Sequence, residues 1–451
     1  MTKTDLLIIG SGPGGYRAAE YAAKNGLQVV VVEEAQAGGT CLNCGCIPTK
    51  TLCRNAEVFS ELKSGDIYGL PLPSTLPEID FQKVIERKQQ IVEQLRSGVE
   101  MLMSLPGITF LHGKAQLKGG KTVVVGDEEI TADNIIIATG SHAKIPPIEG
   151  IDLPNVITST ELLDIKHIPQ RLCIIGAGVI GMEFAGIFSS FGSKVTVIEF
   201  LKECLPTLDS DIAKRLRKTL ERNEIEFYLQ SGVKKIEKSG ESLSITFEKK
   251  GKETTIETDI VLVATGRAAN IEGLGLGEAG IAYDRNGITV DENMLTNVPG
   301  IYAIGDVNGR QMLAHAATFQ GFRAVNHILD KVDSIRFDIM PSAIFTNPEA
   351  GSVGMTEEDC KTNGIEYKCY KGYYRSNGKA LAMNESEGLI KLIADTNGLI
   401  LGCHAFGAHA ADIIQEVTVL MNRDTTIAAL RDIIHTHPTL GEILQDIALM
   451  A

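Results

Sequence analysis

The chain has 451 residues, 44% of them hydrophobic and 22% charged, room for roughly three domains at about 150 residues each. Its 43 basic and 57 acidic residues leave a net charge of −14, which argues against a nucleic-acid or anionic-membrane partner, since both select a basic face. Nine cysteines, most of them scattered, fit a reducing compartment with one local redox site; with no apolar run near 18 residues and no signal-peptide core at the N-terminus, the expected location is cytoplasmic.

Residues 6–33 read LLIIGSGPGGYRAAEYAAKNGLQVVVVE: a short apolar strand, a GxGxxG turn, a helix with apolar periodicity and a second strand closing on an acid. A tight strand-to-helix turn needs positive φ, a pyrophosphate needs bare backbone close by, and a helix N-terminus offers unpaired N–H groups to an anion. Gly10, Gly12, Gly14 and Gly15 meet those needs, and Glu33 is placed to accept hydrogen bonds from a ribose diol.

GGTCLNCGCIPTK follows at 38–50, with Cys41, Cys44 and Cys46 close together. A structural metal wants about four ligands, and only Cys53 stands near as a fourth, so the expectation is a redox disulfide and no metal. Its pairing stays open. Positions i and i+3 of an ideal helix lie about 5 Å apart and i and i+5 about 8–9 Å apart, against a disulfide limit of about 7 Å; that geometry chooses Cys41–Cys44, but Gly45 and Pro48 indicate that the helix is not regular until after residue 46.

Residues 50–105 read as two helices around a Pro-rich turn at 69–79, and 108–137 as an antiparallel meander with GG and GD turns. A hydrophobic strand ends in Ala-Thr-Gly at 135–140. Residues 172–199, LCIIGAGVIGMEFAGIFSSFGSKVTVIE, then repeat the first unit in register, with Gly176, Gly178 and Gly181 as the turn and Glu199 as the acid. The tail FLK after Glu199 contains no arginine for a 2′-phosphate, which favours NAD over NADP, with Lys202 the one cation there. VLVATG at 261–266 echoes the earlier Ala-Thr-Gly strand, and GIYAIGDV at 300–307 adds another strand and turn. The fold expected is α/β: two Rossmann-like nucleotide-binding domains, one inserted in the other, plus a C-terminal α+β domain. The boundaries are 1–149 with 270–337 for the first, 150–269 for the second, and 338–451 for a C-terminal part mixing strands with two helices.

The segment GGTCLNCGCIPTK, both GxGxxG units, both Ala-Thr-Gly strands, GIYAIGDV and HTHPTLGE at 435–442 together resemble the pyridine nucleotide–disulfide oxidoreductases along the whole chain. That resemblance implies bound FAD at the first unit, NAD at the second, and a disulfide joining Cys41 to Cys46, with Cys46 nearest the flavin and Cys41 exchanging with substrate. Cys44 stands where the family commonly has valine. Lys50 resembles the lysine set near the flavin ring and Glu183 its ion-pair partner. Asp306 resembles the acid that binds the FAD ribitol, Met312, Leu313, Ala314 and His315 would lie along the isoalloxazine, and Gly113 belongs with the same cofactor site. Val233 and Gly266 match positions that contact NAD.

By the same resemblance His437 is the acid–base group that raises the thiolate fraction of a thiol, and Glu442 orients its ring. His435 is read as a turn residue. In the family this histidine comes from the other subunit, which implies a homodimer built on the C-terminal domain. MLAHAATFQG at 312–321, FTNPE at 345–349 and HTHPTLGE are most similar to the branch that oxidises dihydrolipoamide carried on a lipoyl domain, of a 2-oxoacid dehydrogenase complex or of the glycine cleavage carrier protein, with NAD+ as acceptor. Two alternatives are another NADH-linked flavin disulfide reductase for a small thiol, and a non-catalytic structural subunit of a multienzyme complex. Intact Cys41, Cys46 and His437 argue against the second.

Overall fold

The computed structural model describes residues 2–71 and 78–451. Both sequence repeats become βαβ units on parallel strands. In the first, Thr2–Ile9 lies between Val29–Glu33 and Glu128–Ile137, all parallel. Leu6, Leu7 and Ile8 are fully buried there, as expected of a strand covered on both faces. The helix Pro13–Lys24 crosses over between the first two strands, its proline in the first turn where a missing N–H costs nothing.

The sheet order is Ile108–His112, Val29–Glu33, Thr2–Ile9, Glu128–Ile137, Thr122–Val125, Ala115–Gly119, with Ile301–Ala303 pairing the C-terminal half of Glu128–Ile137. This corrects the meander expected over 108–137. Only residues from Ala115 onward run antiparallel, while Ile108–His112 joins the parallel sheet beside Val29–Glu33. Alternating apolar residues alone do not separate an edge strand of a parallel sheet from a hairpin strand.

The second repeat builds a five-stranded parallel sheet from Glu226–Leu229, Lys194–Glu199, Arg171–Ile175, Ile260–Val263 and Val156–Ile157. A three-stranded meander, Gly232–Ser239, Ser242–Lys249 and Lys252–Thr258, packs against it. The two parallel sheets are joined by a short antiparallel pair, Ser141–Ala143 with Arg267–Ala269, formed where each chain leaves its Ala-Thr-Gly strand.

The two helices expected over residues 50–105 are Cys46–Lys63 and Phe81–Met103. The Pro-rich turn expected at 69–79 lies mostly outside the described residues. From residue 342 onward a five-stranded antiparallel sheet, running from Ser342–Ile344 to Tyr367–Tyr373, is covered by Ala410–Asn422, Ile427–Arg431 and Glu442–Met450. With the short helices Glu357–Thr362 and Gly378–Ala382 the region holds five helices among the described residues where two were expected, the extra ones being of five to nine residues, too short to show a clear helical periodicity. Among the described residues no helix is long and apolar enough to cross a membrane.

Candidate active site

The two nucleotide turns are built alike. Gly10 has φ +102° and Gly176 φ +105°; a Cβ would fall 2.4 Å from the Ala138 carbonyl oxygen at the first and 2.5 Å from the Ala264 oxygen at the second. Each Ala-Thr-Gly segment therefore closes over the first glycine of its own repeat, so both features of the repeat serve one cradle. Gly15 and Gly181 lie behind the cradles: a Cβ there would meet the Gly10 and Gly176 oxygens at 1.9 and 2.1 Å. They let helix and strand approach.

The two acids are held by backbone. Glu33 accepts from the Ser11 N–H and hydroxyl, both at 2.8 Å, and from the Ala35 N–H at 2.9 Å. Glu199 accepts from the Ala177 and Leu201 N–H groups at 2.6 and 2.7 Å. An ionised carboxylate has about four acceptor positions, so both acids keep capacity for a ribose diol.

Both cradles open into one cleft of about 1810 Å³. Gly10, Gly12, Gly14, Glu33 and Gly113 line it on one side, and Gly176, Gly178, Glu199, Val233 and Gly266 on the other. Between them lie the three clustered cysteines, Lys50 and Glu183, with Asp306 and Met312, Leu313, Ala314 and His315 along the wall. Bare glycine backbone, oriented carboxylates and a continuous cleft of this size fit a dinucleotide at each cradle.

The cysteine segment sits directly on the first cradle. A Cβ at Gly39 would be 2.6 Å from the Gly12 Cα, so the short helix Gly39–Cys44 is pressed against the nucleotide turn. Asn43 pins it, donating to the Ala37 and Gly39 carbonyls at 3.0 Å and accepting from Arg96 Nε at 2.9 Å. Gly45 then breaks the helix at φ −143°, ψ −112°, and Cys46 begins the next one.

That break separates the three sulfurs. Cys41 and Cys46 hydrogen-bond to each other, while the Cys44 thiol faces Thr160 and the Arg267 guanidinium. The Cys46 thiol is pulled down to about 7, first by the hydrogen bond from Cys41 and then by the Lys50 charge, against burial. The hydrogen bond and burial push Cys41 up, so Cys41 keeps the shared proton. Burial also pushes Cys44 up.

Lys50 lies one turn after Cys46 and donates to both oxygens of Glu183 at 2.8 Å. Burial opposes the charge on Lys50, but the Glu183 carboxylate outweighs it and holds the amine above its ordinary value. Glu183 is itself anchored by the Phe345 N–H at 3.0 Å, and Cys53 donates to the Phe345 carbonyl at 3.4 Å.

Two residues that sequence reasoning missed tie Asp306 into the site. Ser141 donates to the Asp306 carboxylate, and Arg267 reaches Ser141 through Nε at 2.7 Å and its carbonyl at 2.6 Å. Each directly follows an Ala-Thr-Gly motif, and the matched position after the two motifs is the signal that could have found them.

His437 stands in the turn before the helix Glu442–Met450 and does not line the cleft. Its Nδ1 lies 2.9 Å from Glu442 Oε1, whose other oxygen accepts the Thr439 N–H at 2.7 Å. These contacts, the backbone N–H first, hold the Glu442 carboxyl below its ordinary range. The imidazole is 80% exposed and is absent from the cleft lining, so one chain does not bring it to its own cysteines. His435 instead pairs with Glu416 at 2.9 Å through a nearly buried ring. Among the described residues no group of three or more His, Cys, Asp or Glu could hold a metal ion.

A dithiol between two dinucleotide cradles defines a class, and comparison with known proteins agrees: residues 4–321 match the pyridine nucleotide-disulphide oxidoreductases and residues 340–448 their dimerisation domain. The chain belongs to this family of flavin-linked oxidoreductases, and membership implies FAD and NAD as cofactors and supports a homodimer. It is 39% identical over 456 residues to a dihydrolipoyl dehydrogenase of Chlamydia muridarum, covering 99% of this chain and 96% of that one. To a dihydrolipoyl dehydrogenase of Bacillus subtilis it is 38% identical, covering 100% and 98%. The HOCl-induced flavoprotein disulfide reductase RclA of Escherichia coli shares the fold at a TM-score of 0.89, with 30% identity and 99% of both chains covered.

Proposed function

We propose that this protein is a dihydrolipoyl dehydrogenase: it oxidises dihydrolipoamide on a lipoyl domain to lipoamide and reduces NAD+, through a Cys41–Cys46 disulfide. The observation that carries the reading is that Cys41 and Cys46 both line the cleft between the cradles beside the Lys50–Glu183 pair, with the Cys46 thiol pulled down to about 7 by Cys41 and Lys50. Of the three cysteines, these two are paired by contact, and the outer one is the more strongly protonated.

In the proposed cycle His437, from a second copy of the chain, takes a proton from one dihydrolipoamide thiol. The thiolate attacks the Cys41 sulfur, breaking the Cys41–Cys46 bond and leaving Cys46 as a thiolate. Glu442 holds the imidazole ring in position through its 2.9 Å contact with Nδ1. The second substrate thiol then displaces Cys41, its proton passing to the departing Cys41 sulfur, giving lipoamide and the reduced pair. FAD, when bound, supplies the two-electron relay from the dithiol to the nicotinamide. Lys50 places a held positive charge beside Cys46, and Glu183 keeps that charge in the buried cleft.

NAD over NADP is supported by Glu199, whose carboxylate repels a 2′-phosphate. A small-molecule disulfide as substrate is the second reading, favoured by the likeness to RclA. The test compares NAD+ reduction by free dihydrolipoamide with NADH-dependent reduction of small disulfides. Fast dihydrolipoamide-dependent NADH formation that is lost in Cys46→Ser supports the proposal; full activity in Cys46→Ser, or turnover of small disulfides alone, contradicts it.

A further inference from the structure

The meander beside the second cradle carries one irregularity, and it falls at the cleft. Pairing between Gly232–Ser239 and Ser242–Lys249 runs Val233 with Phe247, then Lys235 with Thr246, leaving Lys234 as the extra residue of a β-bulge. A bulge re-aims the side chain it carries. Lys234 lines the cleft together with Glu199, Phe200, Leu201 and Ser231. The Ser231 and Gln230 N–H groups donate at 2.9 Å to the Glu199 and Leu201 carbonyls, so the run into the bulge is fastened to the end of the acid's strand.

Lys234 is thus a cleft-lining cation in a run fastened to the end of the Glu199 strand. Lys202, the cation noted from the sequence, is absent from the cleft lining. The Lys234 ammonium lies 2.9 Å from Glu248 Oε2, on the facing strand, and Glu248 also accepts the Gly251 N–H at 3.2 Å. Glu253 adds a further negative charge nearby.

We propose that Lys234 and Glu248 form a charge gate for the dinucleotide, in which Glu248 engages a cleft-lining cation that could offset Glu199 against a 2′-phosphate. The gate rests on the reading of the second cradle as the nicotinamide-nucleotide site. Discrimination against NADP+ then has two parts: the repulsion by Glu199, and the neutralisation of the lysine that would otherwise answer it. Glu248→Gln removes the competing charge and frees Lys234 for the phosphate dianion. Because the pair is half-exposed and screened, the released affinity is modest, about three- to tenfold.

The test measures dissociation constants of NADP+ and NAD+ by isothermal titration calorimetry on the FAD-containing protein, for wild type, Glu248→Gln and Glu248→Gln/Lys234→Met. The gate predicts NADP+ binding tightened about three- to tenfold relative to NAD+ in the single variant, a gain that shrinks at high salt and vanishes in the double variant. An unchanged ratio in Glu248→Gln, or a gain that survives loss of Lys234, overturns the gate. A wild type that binds neither dinucleotide, or binds NADP+ more tightly than NAD+, overturns the reading of the cradle on which the gate stands.

Discussion

Replacing Cys41 with alanine removes the strongest influence on the Cys46 thiolate. In the reduced protein Cys46 is drawn from an ordinary 9.0 to about 7, and the hydrogen bond from Cys41 is the leading cause, ahead of the Lys50 charge. The fall from 9.0 to about 7 corresponds to about 2.7 kcal/mol of net preference for the thiolate, and because burial opposes it the Cys41 and Lys50 contributions together exceed that figure. Burial continues to disfavour the anion once the donor is gone, so Cys46 should titrate at least about one unit higher. At pH 7 its thiolate fraction then falls from about one half to about one tenth or less. The assay is the pH dependence of iodoacetamide alkylation of the reduced protein, with Cys46 resolved from the other cysteines by peptide mass spectrometry. Cys41→Ser, which keeps a donor, should fall between wild type and Cys41→Ala. A midpoint still near 7 in Cys41→Ala would refute the reasoning and transfer the effect to Lys50.

Gly10→Ala should abolish FAD retention, because its Cβ would lie 2.4 Å from the Ala138 oxygen at a positive φ; purification of a colourless, folded protein checks this, and a yellow one contradicts it. Lys391→Met strands Asp209, whose carboxylate is fully buried and 2.7 Å from the Lys391 ammonium, and should cost about 3 kcal/mol or more in urea unfolding. His404, between Asp209 and the Met355 carbonyl, is held below its ordinary 6.5 chiefly by burial. A base depressed in the folded state binds protons more readily unfolded, so its contribution is complete above pH 6.5 and is lost as the pH falls through its folded value. Urea midpoints should therefore decline below about pH 6.5 in wild type, and less steeply in His404→Gln.

Much of the site was legible because its chemistry is local in sequence. Glycine turns, closing acids and Ala-Thr-Gly strands recur at matched spacings, and each set forms one cradle once folded. The cysteine pairing was not legible from spacing: whether Cys41 meets Cys44 or Cys46 depends on the backbone at Gly45, spacing does not encode a helix break of that direction, and only the family resemblance implied Cys41 with Cys46. Ser141, Arg267 and the Lys234 bulge were missed for a related reason. Ser141 and Arg267 meet through a two-strand pairing between distant segments, and a bulge is a mismatch between two strands, invisible in either alone. The strand Ile108–His112 was misread because an edge strand takes its direction from its neighbour, not from its own alternation.

Substrate is expected to open a Cys41–Cys46 disulfide. Oxidised, FAD-containing protein is reduced anaerobically with dihydrolipoamide, quenched by alkylation, and mapped cysteine by cysteine against an unreduced control. Two newly alkylated thiols, at Cys41 and Cys46, with Cys44 labelled equally before and after, is the predicted result. No newly labelled pair, or a pair that includes Cys44, would contradict it.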